Sequence, residues 1–553
     1  MKLQKLKADI AKFINFRTAG LGIWNSYFLF KFGLYYFSYI HLDILLNIIM
    51  AALLTVHLGS RLFHDCWRLF LGVLALALLY HDSYLPGVEQ ILTQQRQLEE
   101  MSLDYILNFL WDFISFPMIF AFLGVMLLSW FLKSYLRVTT VVFLTLFALS
   151  FFDVWITGPS DAEKAATLMA AAQTCAPAGG GGAPGSGDIP PMTDSPTDKN
   201  LEKYVTRFFA REAFRKTVLP GRLEADFAPF DIVLMNICSL SRDDIRQTRL
   251  EDHPLFNKFD VSFEHFNGAT SYSVPASLRL LRSSCGQETE AEMYKGRRQE
   301  CEILNNLAAL GFTTSVYLDH NGVYGEYLSS LQTLAGLSGE PEDPELLRIA
   351  YRSFDGTPVY SDAALFEQYL NSVSRNSSYG NAAFFNLISL HDGLHNDGER
   401  RSLDFEPRLR RLLDDLSAFA DQLEKSGRNV LFIMVPEHGG AIAGDKMQFA
   451  KLREIPTDRI TELPVYVRFF GKQHQESQIK LQGRHSYLAL SELIARSIKE
   501  NVYADPDSNN LDPLTRNLPE TAPVSESTNA FFIKYGDKGF YKIKGGSWTP
   551  YVY

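Results

Sequence analysis

The chain has 553 residues and a mass of 62.6 kDa, which is enough for a membrane region and one large globular domain with its own core. Its formal net charge of -10 argues against a broad nucleic-acid surface, because phosphate backbones are bound by clustered Lys and Arg side chains. The mean hydropathy of -0.05 averages two unlike parts, since apolar residues crowd the first 157 positions and charged residues dominate after residue 200.

Five apolar runs predict an N-terminal membrane anchor of about five helices. The runs are Ile23 to Ile40, Leu42 to Leu58, Trp67 to Tyr80, Phe116 to Leu132 and Val138 to Ile156. Lys and Arg residues precede the first run, flank the turn after the second and follow the fourth, so these segments belong on the cytoplasmic side. No cleavage site follows the first run, so we expect the anchor to be retained. An odd number of spans then exports everything after Ile156.

Lys31 lies inside the first apolar run, where a charge is costly and often functional. We expect its ammonium group to snorkel to a membrane interface, and contact with a lipid headgroup is the alternative. After the anchor, the run CAPAGGGGAPGSGDIPP predicts a flexible linker. The predicted division is therefore an anchor over residues 1–157, a linker over residues 158–200 and a globular domain over residues 201–553.

Four of the five cysteines fall after the anchor, in a compartment that permits disulfides. Cys285 and Cys301 are close in sequence within a polar stretch, so a local bridge between them is the preferred pairing, although spacing does not prove connectivity. Cys238 ends an apolar run, where a thiol either fills the core or binds a metal. Cys175 lies in the linker and has no assigned role.

From residue 230 onward, apolar runs of strand length alternate with helical patterns, which predicts an α/β fold with a mainly parallel sheet covered by helices on both faces. The strand candidates are FDIVLMNIC, VSFEHFNG, FTTSVYLDH, AAFFNLISLHDG, NVLFIMVPEHGG and LPVYVRFFG. The helix candidates include Pro407 to Lys425 and Tyr487 to Ile498.

Ligand-type side chains follow three of these strands, at the edge where such sheets bind ligands. They are Cys238, His391 with Asp392, and Glu437 with His438. A single histidine at a strand end is usually a hydrogen-bonded structural residue. Three clusters at the same edge instead indicate a site.

A fourth element is the segment ATSYSVPA, which precedes a helical stretch from Ser277 to Arg282. Pro275 suits a first helical turn, so the hydroxyl of Ser273 is predicted at a helix N-terminus, which favours an anion. A serine at this position is commonly only an N-cap, and Thr270 and Ser271 are equally able to cap. The motif alone leaves that choice open.

These motifs together resemble the alkaline phosphatase superfamily, and within it the membrane-anchored phosphoethanolamine transferases. The segments that carry the resemblance are ICSLS, ATSYSVPA, RSSCGQ, LHDG, VPEHGG and, near the C-terminus, TAPVSESTNA. They look like the cellulose-modifying branch found in bacterial cellulose-synthesis operons, over essentially the whole chain. Ser273 in place of a threonine nucleophile, and Cys238 in place of an acidic ligand, are departures from the lipid A-modifying branch that suit this one.

The resemblance implies an alkaline-phosphatase-like fold and one Zn²⁺ ion. The implied ligands are Cys238, Ser273, Glu437 and His438, and the residues implied to line the substrate pocket are Tyr272, His391 and Arg453. Ser273 is then the nucleophile, His391 exchanges protons and Arg453 neutralises phosphoryl oxygens, a surface salt bridge being the alternative for Arg453. Tyr272 either contacts phosphate or packs. Asp392 and His395 could form a second metal site, but the preferred expectation is that they orient His391 beside a single zinc ion.

The resemblance also implies the reaction: phosphoethanolamine passes from phosphatidylethanolamine through Ser273 to the 6-hydroxyl of a cellulose glucose. The implied location is the bacterial inner membrane, with the catalytic domain in the periplasm and cellulose synthase subunits as neighbours. Three alternatives stay open from sequence alone. The acceptor is lipid A or another envelope glycan; the chain is a scaffold that stabilises a cellulose synthase; or it is a sulfatase or phosphodiesterase, since this fold also hosts hydrolases.

Overall fold

The computed structural model describes most of the chain. The described residues are 17–18, 20–36, 40, 42–57, 61–83, 116–156, 195–339, 341–343, 347–372, 379–399, 401–475, 477–505 and 507–553. Cys175 and residues 158–194 of the predicted linker lie outside these ranges. Residues 198–200, which were assigned to the linker, instead begin a helix.

Five N-terminal helices lie at the positions of the five apolar runs. They are α1 (Trp24–Tyr36), α2 (Ile44–Thr55), α3 (Arg61–Asp82), α4 (Phe116–Leu132) and α5 (Val138–Ile156). Apolar side chains from α1, α2, α3 and α5 pack into one shared core. Within the described ranges, no helix combines the length and the hydropathy needed to cross a membrane.

Lys31 is fully buried in this helical region and does not snorkel. Its Nζ donates to Asp82 Oδ2 on α3 at 2.5 Å and to Asn47 Oδ1 on α2 at 2.8 Å. Asn47 Nδ2 in turn donates to Asp82 Oδ2 at 2.6 Å. The prediction of an interfacial lysine was therefore wrong, because a carboxylate 51 residues away in sequence neutralises the charge inside the bundle. We call Lys31, Asn47 and Asp82 the Lys31 triad.

The globular domain is built on a seven-stranded sheet, and the α/β prediction is confirmed. The strands, with those of two smaller sheets, are β1 (Asp231–Ile237), β2 (Val261–Phe266), β3 (Thr313–Leu318), β4 (Ile349–Arg352), β5 (Pro358–Tyr360), β6 (Asn381–Leu387), β7 (Val430–Pro436), β8 (Val465–Phe470), β9 (Ile479–His485), β10 (Val524–Glu526), β11 (Ala530–Tyr535), β12 (Lys538–Ile543) and β13 (Thr549–Pro550). The order in the large sheet is β9-β2-β8-β7-β1-β6-β3. Within this sheet β8 alone runs antiparallel to its neighbours, so six strands present their carboxyl ends at one edge.

Helices cover both faces of the large sheet. The described helices of the domain are α6 (Asp198–Glu212), α7 (Arg242–Thr248), α8 (Ser273–Leu281), α9 (Glu290–Met293), α10 (Ile303–Ala309), α11 (Tyr327–Ala335), α12 (Asp362–Ser372), α13 (Phe405–Ser426), α14 (Asp458–Thr461), α15 (Tyr487–Lys499) and α16 (Asp512–Thr515). Side chains alternate along β1, as a pleated strand requires. Ile232 and Leu234 join a core with α8, α11 and α15, whereas Val233 and Met235 join a second core with α12 and α13. The two cores make a three-layer α/β/α domain.

Two features complete the domain. The C-terminal strands β10 to β13 form an antiparallel sheet that packs against α6 through Tyr204, Phe208 and Trp548, among others. The apolar runs did not predict this sheet, because its strands are short and carry many polar residues. Cys285 and Cys301 form a disulfide bond, which is the pairing preferred from sequence.

Candidate metal and nucleophile site

Three ligand-type side chains lie together at the carboxyl edge of the sheet because their strands are neighbours in register. Ile237 of β1 is paired with Pro436 of β7, so Cys238 and Glu437 leave the two strands at the same level. The backbone pairing continues past the strands, since Glu437 N donates to Ile237 O at 2.9 Å and Leu240 N donates to His438 O at 2.7 Å. This continuation fixes the relative positions of the three ligands.

The side chains of Cys238, Glu437 and His438 converge on one point. One ligand atom from each lies within 4.8 Å of the other two, and all three residues are buried. Ser273 is the first residue of α8, and its Oγ lies 3.4 Å from Cys238 Sγ and 3.2 Å from His438 Nε2. The structure thus brings together the four residues predicted as metal ligands, which we call the strand-end cluster.

The N-terminus of α8 is free of the side-chain caps that the sequence allowed. Tyr272 occupies the N-cap position without a side-chain capping bond. Thr270 and Ser271 are buried, and their hydroxyls have no hydrogen-bond partner within the described part of the chain. The first backbone N–H groups of this nine-residue helix are therefore left to an anion beside Ser273.

The strand-end cluster passes a structural test for a cation. Glu437 Oε1 accepts hydrogen bonds from Asn386 Nδ2 at 2.6 Å and Ser277 Oγ at 3.1 Å. Glu437 Oε2 is equally buried, yet it has no hydrogen-bond partner among the described residues. A buried carboxylate oxygen without a donor is costly and calls for an explanation, and a bound cation supplies one.

The types of ligand atom in the cluster also agree with a bound cation. His438 Nε2 lies 3.2 Å from Ser273 Oγ and faces the cluster, whereas Nδ1 lies 3.0 Å from the carbonyl oxygen of Gly439. Thiolate, carboxylate and imidazole are a common ligand set of Zn²⁺. The residues present therefore fit a zinc ion.

The protonation of the three ligands follows from their burial. Desolvation, and then the Glu437 carboxylate, raise the pKa of the Cys238 thiol. Desolvation also raises the pKa of Glu437, whereas desolvation and the Arg453 guanidinium lower the pKa of His438 well below its usual range. All three shifts favour the neutral forms, and a divalent cation between the side chains is the influence that would favour thiolate and carboxylate.

A buried polar network behind Glu437 was not predicted. Asn386 Nδ2, near the end of β6, donates to both Glu437 Oε1 and Asn236 Oδ1. The Ser277 hydroxyl on α8 lies within hydrogen-bonding distance of Glu437 Oε1, and the Tyr327 hydroxyl on α11 lies 2.8 Å from that of Ser277. Asparagines inside the otherwise apolar strands DIVLMNI and NAAFFNL were the signal available in the sequence.

The loops that carry the cluster are strained and tightly packed. Ser239 and Ala269 have φ angles of 66° and 60°, a left-handed conformation that non-glycine residues rarely adopt outside functional sites. At Gly439, a Cβ atom would lie 2.7 Å from Ser241 Oγ, so only glycine fits. The buried carboxylate of Asp244 accepts from Gly440 N at 2.8 Å and holds the same loop.

Arg453 and Tyr272 lie beside the cluster. Arg453 Nη1 is 2.9 Å from His438 Nδ1, and its guanidinium lies over the Tyr272 ring, 5.8 Å from the centroid. The Tyr272 hydroxyl donates to Glu454 Oε1 at 2.5 Å, so Tyr272 is committed to a neighbouring carboxylate. Arg453 is therefore at the site, where its guanidinium contacts the imidazole of His438.

His391 follows β6, which is the neighbour of β1. Its Nδ1 lies 2.8 Å from the carbonyl oxygen of Asp392, so the tautomer protonated at Nδ1 leaves Nε2 as a proton acceptor. Desolvation and the Arg453 guanidinium lower the pKa of His391, which favours the neutral imidazole.

The expectation that the side chains of Asp392 and His395 orient His391 was wrong. The Asp392 carboxylate pairs with Lys451 at 3.2 Å, and His395 Nε2 contacts the carbonyl oxygen of Ser353 at 3.1 Å. The backbone of Asp392 makes the orienting contact instead. Arg408, which was also missed, supports the loop by donating to the carbonyl oxygen of His391 at 2.9 Å.

Two family models match the chain. The model described as "Cellulose biosynthesis protein BcsG C-terminal domain" matches residues 186–548, and "Cellulose biosynthesis protein BcsG N-terminal domain" matches residues 24–151. The chain is 41% identical over 542 residues to "Cellulose biosynthesis protein BcsG" of Salmonella typhimurium, covering 96% of each chain. It is 40% identical to the protein of that name from Escherichia coli K12, with the same coverage.

Solved structures resemble the chain more distantly. A protein of the alkaline phosphatase superfamily from Vibrio parahaemolyticus is 12% identical with a TM-score of 0.43, over 62% of this chain and 87% of that protein. The C-terminal periplasmic domain of EcEptC from Escherichia coli, in complex with Zn, is 11% identical with a TM-score of 0.39, over 58% of this chain and 97% of that domain. Similarity at these scores carries no weight for the site, which stands on its own geometry and on the sequence relatives.

Proposed function

The chain belongs to the BcsG family of cellulose biosynthesis proteins, and we propose that it is a zinc-dependent phosphoethanolamine transferase that modifies cellulose. The donor is phosphatidylethanolamine and the acceptor is the 6-hydroxyl of a glucose residue. The observation that carries this proposal is the contact of the Ser273 hydroxyl with the buried side chains of Cys238 and His438, at the start of a helix. A nucleophile, a ligand set and an anion-binding helix end coincide there.

The proposed setting is the bacterial inner membrane. Residues 1–157 anchor the chain, residues 158–197 act as a tether, and residues 198–553 form the catalytic domain in the periplasm. A tethered domain works close to the lipid that supplies its donor and close to the cellulose synthase subunits that we propose as neighbours. The net charge of -10 leaves nucleic acid outside this set of partners.

Cys238, Glu437, His438 and Ser273 would hold the zinc ion. When bound there, zinc lowers the pKa of a ligated hydroxyl and stabilises negative charge that develops on phosphoryl oxygens. The remaining tasks belong to the chain itself. The free N–H groups at the start of α8 and the guanidinium of Arg453 bind the phosphoryl oxygens and orient the donor.

In the first half-reaction, Ser273 Oγ loses its proton and forms a bond to phosphorus. The bond between phosphorus and the diacylglycerol oxygen breaks, and its electron pair goes to that oxygen. His391 takes up the Ser273 proton at Nε2 and passes it to the departing diacylglycerol. Ser273 then carries phosphoethanolamine as a phosphodiester.

The second half-reaction repeats this exchange with the sugar. His391 accepts the proton of the glucose 6-hydroxyl, the sugar oxygen forms a bond to phosphorus, and the bond to Ser273 Oγ breaks. Ser273 recovers the proton from His391. A neutral imidazole is required at the start of each half-reaction, and the lowered pKa of His391 provides it.

The test replaces Ser273 by alanine in cells that lack their own copy of the protein. We expect Ser273→Ala to abolish phosphoethanolamine on extracted cellulose while the protein accumulates normally. Ser271→Ala is the matched control, because the buried Ser271 hydroxyl has no hydrogen-bond partner within the described ranges, so its loss removes no hydrogen bond. Wild-type levels of modification in Ser273→Ala would overturn the proposal. Unmodified cellulose with modified lipid A in wild-type cells would overturn the choice of acceptor.

A further inference from the structure

Two aromatic side chains pack against the ring of His391. The rings of Tyr324 and Phe354 lie 5.0 Å apart in an edge-to-face arrangement. The Phe354 ring is 6.0 Å from the His391 ring, and the Tyr324 ring is 6.4 Å from it. Tyr324 remains 39% exposed, so a large ring surface is open to solvent directly beside the proposed proton carrier. We call Tyr324 and Phe354 the aromatic platform.

Hydrogen bonds within the loop between β3 and α11 hold Tyr324 in place. Tyr324 lies on the loop between β3 and α11, where Gly322 and Gly325 have φ angles of 69° and 62°. Gly322 N donates to Nδ1 of the buried His320 at 3.0 Å, and His320 Nε2 lies 2.9 Å from Asn386 Oδ1. The platform loop is thereby linked to the network that supports Glu437.

The Phe354 side is held by a second loop. Phe354 lies in the turn between β4 and β5, and Arg352 of β4 exchanges two backbone hydrogen bonds with His395, at 2.8 and 2.9 Å. Because His395 follows His391 on the same loop, these two bonds tie the turn to that loop. A rigid exposed ring pair beside a reacting group is a binding surface that is already organised before ligand arrives.

The charges around the platform favour a neutral ligand. Burial and then the Asp355 carboxylate raise the pKa of Tyr324, whereas the Arg453 guanidinium lowers it, so charges of both signs lie near this ring. The Asp392 carboxylate is already paired with Lys451 at 3.2 Å. An ammonium group would need an aromatic surface with an unopposed carboxylate, whereas a sugar needs an apolar ring face and polar groups at its rim.

We propose that Tyr324 and Phe354 form the acceptor subsite, where a pyranose ring of a β-linked glucan stacks and presents its hydroxymethyl group to His391. The inference depends on the proposed function, because it assigns the second substrate of the same site. A pyranose ring has a face of C–H groups and an equator of hydroxyls. The exposed ring of Tyr324 matches that face, and the Asp392–Lys451 pair, next to His391 in sequence, offers polar groups for the hydroxyls.

The experiment separates the two half-reactions in the zinc-loaded full-length protein in phosphatidylethanolamine nanodiscs. Diacylglycerol release without acceptor reports the donor half-reaction, and transfer to cellohexaose reports the acceptor half-reaction. We expect Tyr324→Ala and Phe354→Ala to raise the KM for cellohexaose about tenfold each and to change diacylglycerol release less than twofold. Tyr324→Trp should retain transfer, because it keeps a flat ring. Tyr379→Ala, a tyrosine of similar exposure at the opposite end of the sheet, should change neither reaction.

Binding of cellohexaose to the same protein, measured by titration calorimetry without turnover, gives a second readout. Weaker binding by Tyr324→Ala, with normal diacylglycerol release, supports the subsite. Equal loss of both half-reactions would overturn it in favour of a structural role, and a raised KM for phosphatidylethanolamine alone would assign the platform to the ammonium group instead. Wild-type protein that releases diacylglycerol but binds no cellohexaose would overturn the subsite and leave the transferase chemistry standing. Wild-type protein that releases no diacylglycerol would overturn the proposed function.

Discussion

Two buried polar groups of this chain differ in how their atoms are satisfied. In the Lys31 triad, the lysine donates to Asn47 and Asp82, and the asparagine donates to the same carboxylate, so the opposite charges compensate each other. In the strand-end cluster, one oxygen of Glu437 has no hydrogen-bond partner in the described part of the chain, and the thiol of Cys238 faces the same point. The charges of the first group therefore balance each other, whereas the second group can still bind a cation.

This difference separates a structural role from a chemical one. The compensated ion pair links three helices and needs no ligand. The cluster of acid, thiol and imidazole has no compensating cation, so its side chains stabilise the fold only once a metal ion is bound. The two groups should therefore respond to mutation in opposite ways. Damage to the triad should appear as lost stability, and damage to the cluster as lost metal and lost activity.

The largest expected effect follows removal of a metal ligand. Cys238→Ala should release zinc and lower the transfer rate on the order of 1000-fold or more, because the nucleophile loses the cation that would activate it. Zinc content by mass spectrometry and transfer to cello-oligosaccharide measure both. Cys66→Ala, which removes an exposed free thiol on α3, is the control and should leave both unchanged. A zinc-replete, active Cys238→Ala protein would show that the cluster is not the metal site.

The Lys31 triad should respond through folding alone. Lys31→Met leaves the Asp82 carboxylate buried without its cation, which we expect to cost about 3–5 kcal/mol of stability. The double variant with Asp82→Leu should recover most of that loss, because the uncompensated charge is gone. Thermal unfolding in detergent measures both, and zinc content should not change. If the double variant is no more stable than Lys31→Met, the triad is doing something other than compensating charge.

A smaller effect is expected one contact away from the metal. Asn386→Ala removes the shorter of two hydrogen bonds to Glu437 Oε1, so the carboxylate is held less firmly in one orientation and zinc affinity should fall about 10–100-fold. Competition with a chelator measures the affinity. Asn381→Ala, at the other end of the same strand, is the matched control. Equal affinities for the wild type and Asn386→Ala would remove the network from the metal site.

The smallest expected effect concerns pH. Burial lowers the pKa of His320 to about 4, so the neutral ring accepts from Gly322 N and the folded state resists protonation. The unfolded chain takes up that proton near pH 6.5, so the stability provided by neutral His320 is present above pH 6.5 and is lost as pH falls toward 4. We expect a loss of about 1–2 kcal/mol by pH 5.

His320→Gln should flatten that part of the pH profile of unfolding. Parallel profiles for the wild type and His320→Gln would mean that His320 is not the group that senses acid here.

The site could be predicted from the sequence where its residues directly follow the strands of the sheet. Cys238, Glu437 and His438 were placed correctly at one sheet edge, because parallel strands deliver the residues that follow them to a common side. The reversed direction of β8 was not visible, since hydropathy carries no information about strand direction. Asn386 and Ser277 were missed because a single polar residue in an apolar segment does not show which residue it will contact in the fold.

Tertiary pairing explains the remaining errors. Lys31 was expected at a membrane interface because the sequence around it does not indicate an ion-pair partner. That partner, Asp82, lies at the end of a different helix. The side chains of Asp392 and His395 were expected behind His391 because they are its neighbours in sequence. In the fold, the Asp392 carboxylate pairs with Lys451, and the His395 side chain contacts the carbonyl oxygen of Ser353 in the β4–β5 turn. Proximity along the chain was a poor guide in both cases.

The central claim, that Ser273 carries the transferred group, has one direct test. Zinc-loaded full-length protein is incubated with phosphatidylethanolamine without any acceptor, quenched in acid and digested for tandem mass spectrometry. We predict phosphoethanolamine on Ser273, its disappearance when cello-oligosaccharide is added, and no adduct in Cys238→Ala. Diacylglycerol release without any adduct, or an adduct on another residue, would contradict the account.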